Sequence, residues 1–400
     1  MRIEDAARSA IRPTKRPQNP GVDPDVGPDP LTLRQLNRAT LQRQLLLDRS
    51  STPVLDVIRH LVGLQAQEPP DPYIGLWSRV QDFHPTELET LLLDRQVVRL
   101  VVQRGTVHAV TADDCLTLRP LAQPILTQQL YTHQDYRGSF DGVDLDNVMA
   151  HASDVLAESP RTTRQLRDAL ADRFPQHNAA ALAFACRNLL PFIQVPPRGL
   201  WSTPGQVVGT TAAAWLGRPL EPEPSIDDII MRYVAAFGPA TVRDAATWSR
   251  YTGLREVFDR LRPRLRTFRD EDGREYFDLP DAVRPDADTP APVRILPQYD
   301  NVLLSHADRS RFTAGGDYSQ IWMETTGFLG NVLVDGMLVG MWRFDQATRV
   351  VQSGTTPATL TFTTRPLATQ AITEVGAEAE RFLRFVSPNG SHDIRFRVPD

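Results

Sequence analysis

The sequence predicts an α+β chain in which tandem winged helix-turn-helix units, three in number, precede a small antiparallel β-barrel. Three observations lead to this class. Helical apolar spacing begins at Leu31 and gives way at residues 97–111 to a β-branched stretch with Arg104-Gly105 at its middle, the outline of helices closed by a hairpin wing. The same outline recurs twice further along the chain. Beyond a Pro- and Asp-rich linker at 280–292, short β-like runs alternate with turn pairs such as Asp335-Gly336.

Taken in order, residues 1–30 read as a tail, because Pro13, Pro17, Pro20, Pro24, Pro28 and Pro30 interrupt any helix. The first unit spans 31–135. Leu33, Leu36, Leu41 and Leu45 sit near helical spacing, and a second helix from Pro53 carries Leu55, Ile58, Leu61 and Val62 on one face. Pro85-Thr86 opens another helix, with Thr86 and Glu89 suited to a capping box. After the hairpin, Thr111 and Asp114 cap the next helix. The second unit, 145–217, has helices at 163–173 and 178–190. Strands at 192–195 and 200–202 then flank a Pro196-Pro197-Arg198-Gly199 turn. The third, 223–285, has caps at Ser225/Asp228 and Thr241/Asp244, a helix at 254–261 and a hairpin turning at Asp272-Gly273. Residues 293–400 supply the barrel strands, at 293–296, 331–334, 338–344, 358–363 and 394–398.

Composition removes several function classes. No run approaches the ~20 apolar residues of a membrane span, and no signal-peptide core stands at the N-terminus, so a cytoplasmic protein is expected. Cys115 and Cys186 are the two cysteines and have no companions at metal spacing; no metal and no cofactor are expected. The formal net charge of −5 does not announce a nucleic-acid binder, although an Arg-lined groove can sit in such a total. The chain has a single lysine, Lys15, in the tail. The folded body therefore offers no amine for Schiff-base chemistry, a P-loop or a kinase ion pair. The signatures GxxxxGK[ST], HExxH and GxSxG are absent.

One short segment stands apart: Gly63-Leu64-Gln65-Ala66-Gln67-Glu68-Pro69-Pro70. Pro69 biases Glu68 toward extended backbone, so the preceding helix should end near Gln65. Residues two apart in an extended stretch point the same way, so Gln65 and Gln67 would face one site. From the pattern alone, two glutamines at a helix end read first as ordinary surface residues.

With four other stretches this segment completes a resemblance. GLQAQ at 63–67, RGTVHAV at 104–110, GPATVRDAATWS at 238–249, LPQYDNVLLSHADRSR at 296–311 and VLVDGMLVGMWR at 332–343 resemble the winged-helix DNA-binding family that contains the AlkZ and YcaQ DNA glycosylases. The resemblance implies three winged helices and a β-barrel wrapping duplex DNA, and a catalytic Q-Φ-Q or Q-Φ-D motif. Gln65-Ala66-Gln67 fits the Q-Φ-Q, AlkZ-like form. The implied function is a monofunctional DNA glycosylase that hydrolyses the N-glycosidic bond of N7-alkylated purines and unhooks interstrand crosslinks, as in self-resistance to azinomycin B-type agents. The implied partner is double-stranded DNA carrying alkylated or crosslinked purines, met by a monomer. A non-catalytic winged-helix DNA-binding protein or transcription regulator is the competing reading, and a metabolic enzyme on an α/β scaffold a third.

On this reading Gln65 and Gln67 are the catalytic residues, with Glu68 adjacent as a possible source of a carboxylate. Arg104, Arg309 and Arg311 are expected to hold the DNA, through phosphates or by buttressing a loop that does. Structural salt bridges with Asp300 or Asp308 are the alternative for these arginines.

Overall fold

The structure is a computed structural model and describes residues 30–316, 328–344 and 358–398. The tail expected at 1–30 thus falls almost wholly outside the described residues. Helices α1 (Leu33–Arg43), α2 (Val54–His60), α3 (Asp71–Arg79) and α4 (Pro85–Leu93) surround a two-residue strand, β1 (Leu64–Gln65). Thr32 caps α1 in a reciprocal box with Gln35. The cap of α4 is His84 with Glu87, two residues before the expected Thr86 and Glu89, because Pro85 takes the first helical position.

The hairpin follows as β2 (Val97–Val101) and β3 (Val107–Thr111), and Thr111 caps the long α5 (Ala112–Thr132). Next come α6 (Leu145–Glu158), β4 (Arg161–Thr162), α7 (Thr163–Arg173), α8 (Ala179–Leu189), β5 (Phe192–Gln194), β6 (Val208–Thr211) and α9 (Ala212–Leu216). The strand that returns to β5 is β6; the expected strand at 200–202 is a turn. The third helix–hairpin segment comprises α10 (Ile226–Phe237), α11 (Val242–Ser249), α12 (Leu254–Leu261), β7 (Arg266–Arg269) and β8 (Glu275–Asp278). Its caps at Ser225 and Thr241 form as expected.

The C-terminal part holds β9 (Arg294–Pro297), α13 (Asn301–Leu304), α14 (Ser310–Thr313), β10 (Phe328–Val334), β11 (Met337–Phe344), β12 (Ala358–Thr364), α15 (Thr369–Val386) and β13 (His392–Arg397). The strand expectations hold here, but the barrel does not. The sheet is open, in the order β13-β12-β11-β10-β9, and β12 and β13 run parallel. A parallel neighbour requires a crossover, and the 18-residue α15 provides it. Val375, Ala379, Phe382, Leu383 and Val386 form its buried stripe and join the core of Ile295, Trp342 and Phe362, so a helix covers one face of the sheet.

Elsewhere β1-β3-β2-β5-β6-β4 form one antiparallel sheet, in which β2 pairs with β3 on one side and β5 on the other. Two large cores result. One joins residues of α2–α4 and β1–β3 to the C-terminal sheet and α15. The other joins β2, β3 and α5 to β5 and to α10–α12. The first helix–hairpin segment contributes to both and lies between them. No helix among the described residues is long and apolar enough to cross a membrane.

Candidate functional site

The path into the segment is fixed by Gly63. Its φ is +98°, and a Cβ there would lie 2.7 Å from Val110 Cγ1, so neither the backbone nor the space admits a side chain. Its carbonyl accepts a hydrogen bond of 3.0 Å from Asn301 Nδ2. The chain then pairs with β3: Gln65 stands opposite His108, and Ala66 N donates to Val107 O at 2.7 Å. The helix before it ends at His60, earlier than expected, and Gln65 lies within the strand.

Gln65 is buried and Gln67 exposed. At the hairpin tip Arg104 has φ 57° and ψ 6°, and this left-handed turn sends its side chain back over the sheet. Arg104 Nη2 donates to Gln65 Oε1 at 2.7 Å and approaches His108 Nε2 at 3.2 Å, while Nη1 donates to Trp248 O at 2.8 Å. A guanidinium only donates, so His108 Nε2 must accept, and the proton sits on Nδ1, 2.9 Å from Thr106 O. Burial, reinforced by Arg104, pushes the His108 imidazole down to about 3, so it is neutral. Burial and the nearby Arg250 lower Arg104 to about 10, which leaves it charged at neutral pH. Gln67 Oε1 accepts from Val107 N at 3.4 Å, a long contact. Between the glutamines, Ala66 O accepts from Arg99 Nη2 at 2.9 Å.

Two carboxylates follow the motif. Glu68 is half-buried and Asp71 is buried in the first turn of α3. Burial, with the charges of Asp71 and Glu68, raises the Tyr299 hydroxyl above its ordinary range. Beside Tyr299, Asp300 makes a two-pronged buried ion pair with Arg79, both bonds 2.8 Å, and caps α13 through Val302 N at 3.0 Å. Asn301 is held where it can reach Gly63.

Of the expected DNA-holding residues, Arg104 reaches Gln65 and the other two do not. Arg309 is exposed at the start of α14. Arg311 is buried at 3% exposure, where Nη1 donates to Thr40 Oγ1 at 3.0 Å and to Pro239 O at 3.1 Å. Its nearest carboxylate is Asp244, at 3.9 Å. Asp300 and Asp308 are taken by Arg79 and Arg274, so neither pairs with these arginines. His108, Asn301 and Arg99 escaped the sequence reading. A histidine four residues past Arg104, across the turn of a hairpin, was the available signal for the first. Among the described residues no group of three His, Cys, Asp or Glu side chains could hold a metal.

A family model described as DNA glycosylase AlkZ-like matches residues 58–385, a span that takes in every part of this site. The chain belongs to the AlkZ-like DNA glycosylase family. A relative from Streptomyces sahachiroi, described as an interstrand DNA cross-link repair glycosylase, is 26% identical over 337 residues, which is 77% of this chain and 87% of the relative. The solved structure of Streptomyces sahachiroi DNA glycosylase AlkZ is similar in fold. Its TM-score is 0.69 at 19% identity, over 92% of this chain and 100% of that one. Within this AlkZ-like chain, Gln65-Ala66-Gln67 therefore occupies the edge of a sheet whose neighbouring strand and hairpin tip orient it.

Proposed function

We propose that this AlkZ-like protein is a monofunctional DNA glycosylase that hydrolyses the N-glycosidic bond of N7-alkylated purines in duplex DNA, including purines tied into interstrand crosslinks. The observation that carries the reading is the placement of Gln65, whose amide oxygen is held by Arg104 on an ordered strand. An N7-alkylated guanine is already cationic and departs as a neutral base, so it needs no general acid. What remains is to hold a water near C1′ as oxocarbenium character develops there, a task of positioning that suits amides. The carboxylates of Glu68 and Asp71 beside the motif favour that positive charge. The single lysine lies in the tail at position 15, so the described body holds no amine for lyase chemistry. Three helix–hairpin segments, each read as a winged helix, would line the duplex.

The test is single-turnover release of 7-methylguanine from an alkylated duplex oligonucleotide. The parent should release the base without strand cleavage, and Gln65→Ala/Gln67→Ala should lower the rate on the order of ten- to a thousandfold. Release by the double variant at the parent rate would remove both glutamines from the chemistry. An inactive parent that binds duplex DNA would favour a non-catalytic DNA-binding protein.

A further inference from the structure

Beside the hairpin tip a cleft of about 450 Å³ opens between α5 and α11, lined by Ile125, Gln128, Gln129, Thr132, Ala246, Arg250 and Tyr251. It abuts the tip directly: a Cβ on Gly105 would lie 2.0 Å from Gln129 Nε2. The chemistry of its lining is one-sided. It contains no carboxylate. The Tyr251 hydroxyl is buried and has no hydrogen-bond partner among the described residues. Buried hydroxyls without a partner are uncommon, and each calls for an explanation.

The arginines add to this. Arg104 and Arg250 lie close enough for the second to depress the first, yet among the described residues neither has a carboxylate at ion-pair distance. Many other arginines in the chain do have one, Arg43 with Asp278 and Arg232 with Asp114 for example. Arg250 is not consumed by the end of its helix. Its backbone N–H caps α11 through Ala246 O at 2.8 Å, and the carbonyl of Trp248 is taken by Arg104. The exposed guanidinium of Arg250 therefore stands with the Gln128 and Gln129 amides around a space with no negative charge to meet them, and the unpartnered Tyr251 hydroxyl is enclosed in its wall. Two like charges held together beside hydrogen-bond donors are stabilised by an anion between them.

We propose that this cleft is a subsite for one backbone phosphodiester of the bound DNA, with Arg250 as its principal ligand and Gln128 and Gln129 as neutral donors. The inference rests on the DNA-glycosylase reading for its ligand and places a fixed phosphate grip beside the same hairpin tip that aims Gln65. The grip is electrostatic and reads no sequence.

Binding of an undamaged duplex oligonucleotide, followed by fluorescence anisotropy, tests it without any base release. Arg250→Ala should weaken binding by about tenfold, as expected for one charged hydrogen-bonded contact. It should also reduce the slope of log affinity against log salt by roughly 0.9. The melting temperature should not change, since Arg250 is exposed. Single methylphosphonate substitutions scanned along the duplex should then find a position that weakens the parent by a similar factor and leaves Arg250→Ala unaffected. Arg250→Lys should recover part of the loss. If Arg250→Ala and every methylphosphonate act independently, the subsite does not hold a DNA phosphate. A parent stabilised by millimolar inorganic phosphate, with a flat methylphosphonate scan, would make it a free-anion site and overturn the proposal as well. Loss of base release with normal binding in the parent would count against the glutamine chemistry alone.

Discussion

Arg104 donates to the amide oxygen of Gln65 at 2.7 Å, and this bond decides which end of the glutamine is presented outward. With Oε1 held, the Nε2 group faces away from the arginine. The chain of bonds from Thr106 O through His108 and Arg104 to Gln65 leaves that amide little freedom to flip. Arg104 is thus a positioning residue for the motif. Arg104→Ala should lower single-turnover base release about ten- to a hundredfold. Combined with Gln65→Ala it should add almost nothing, because both variants remove one arrangement. Additive losses would place Arg104 on the DNA independently of Gln65.

Gly63 offers a test of the entry turn. Gly63→Ala forces a side chain onto a φ of +98° and against Val110. A loss of about 1–3 kcal/mol in urea unfolding is expected. Activity should fall further than stability, since Gln65 is only two residues on.

The buried pair of Arg79 and Asp300 supports the motif from beneath, because Asp300 also holds the turn that carries Asn301. Asp300→Ala leaves a buried guanidinium uncompensated and should cost about 3–5 kcal/mol. Asn301→Ala should cost much less in stability and still reduce base release, through the lost bond to Gly63.

Arg309 and Arg311 should behave oppositely although they are two residues apart. Arg309→Glu, on the exposed start of α14, should weaken duplex binding and flatten its salt dependence. Arg311→Ala should lower the melting temperature instead, because its donors hold Thr40 and Pro239 in the interior.

Acid should destabilise the protein through its buried histidines. In the folded state His108 refuses a proton down to about 3, whereas the unfolded chain takes one near 6.5. A depressed histidine gives stability that is complete above 6.5 and is lost as pH falls toward 3, at about 1.4 kcal/mol per pH unit. His306 is also buried and depressed, chiefly by burial and by Arg311, so it adds in the same direction. Melting temperatures measured from pH 7.5 to 5 should fall, and His108→Gln should flatten the profile.

Local signals were legible where a cap or a turn pair recorded them. Thr111, Ser225 and Thr241 mark helix starts, and Asp335-Gly336, with φ of 47° and 74°, marks the β10–β11 turn. The expected barrel failed because strand spacing carries no information about closure. The helical stripe from Val375 to Val386, which the strand reading passed over, would have shown that a crossover was present. In the site, Gln65, Gln67 and Arg104 were found by motif, but the contact of Arg104 with Gln65 and the other supports were not. Arg104 meets Gln65 from 39 positions away, His108 stands opposite Gln65 across a strand register, and Asn301 reaches Gly63 from 238 positions away; proximity of that kind is absent from local sequence.

The short stretch that carries Gln65 is anchored in two different interiors. Val62 packs in the core shared with α5 and α10–α12, whereas Leu64 and Ala66 pack in the core shared with the C-terminal sheet. Any displacement of Gln65 would have to disturb two close-packed regions together, so the motif is held still while a substrate arrives. Under the glycosylase reading, the distortion that brings a purine's glycosidic bond to these side chains falls to the double helix. Lesions that have already weakened stacking should enter most readily, which makes the mechanical state of the DNA part of the protein's selectivity.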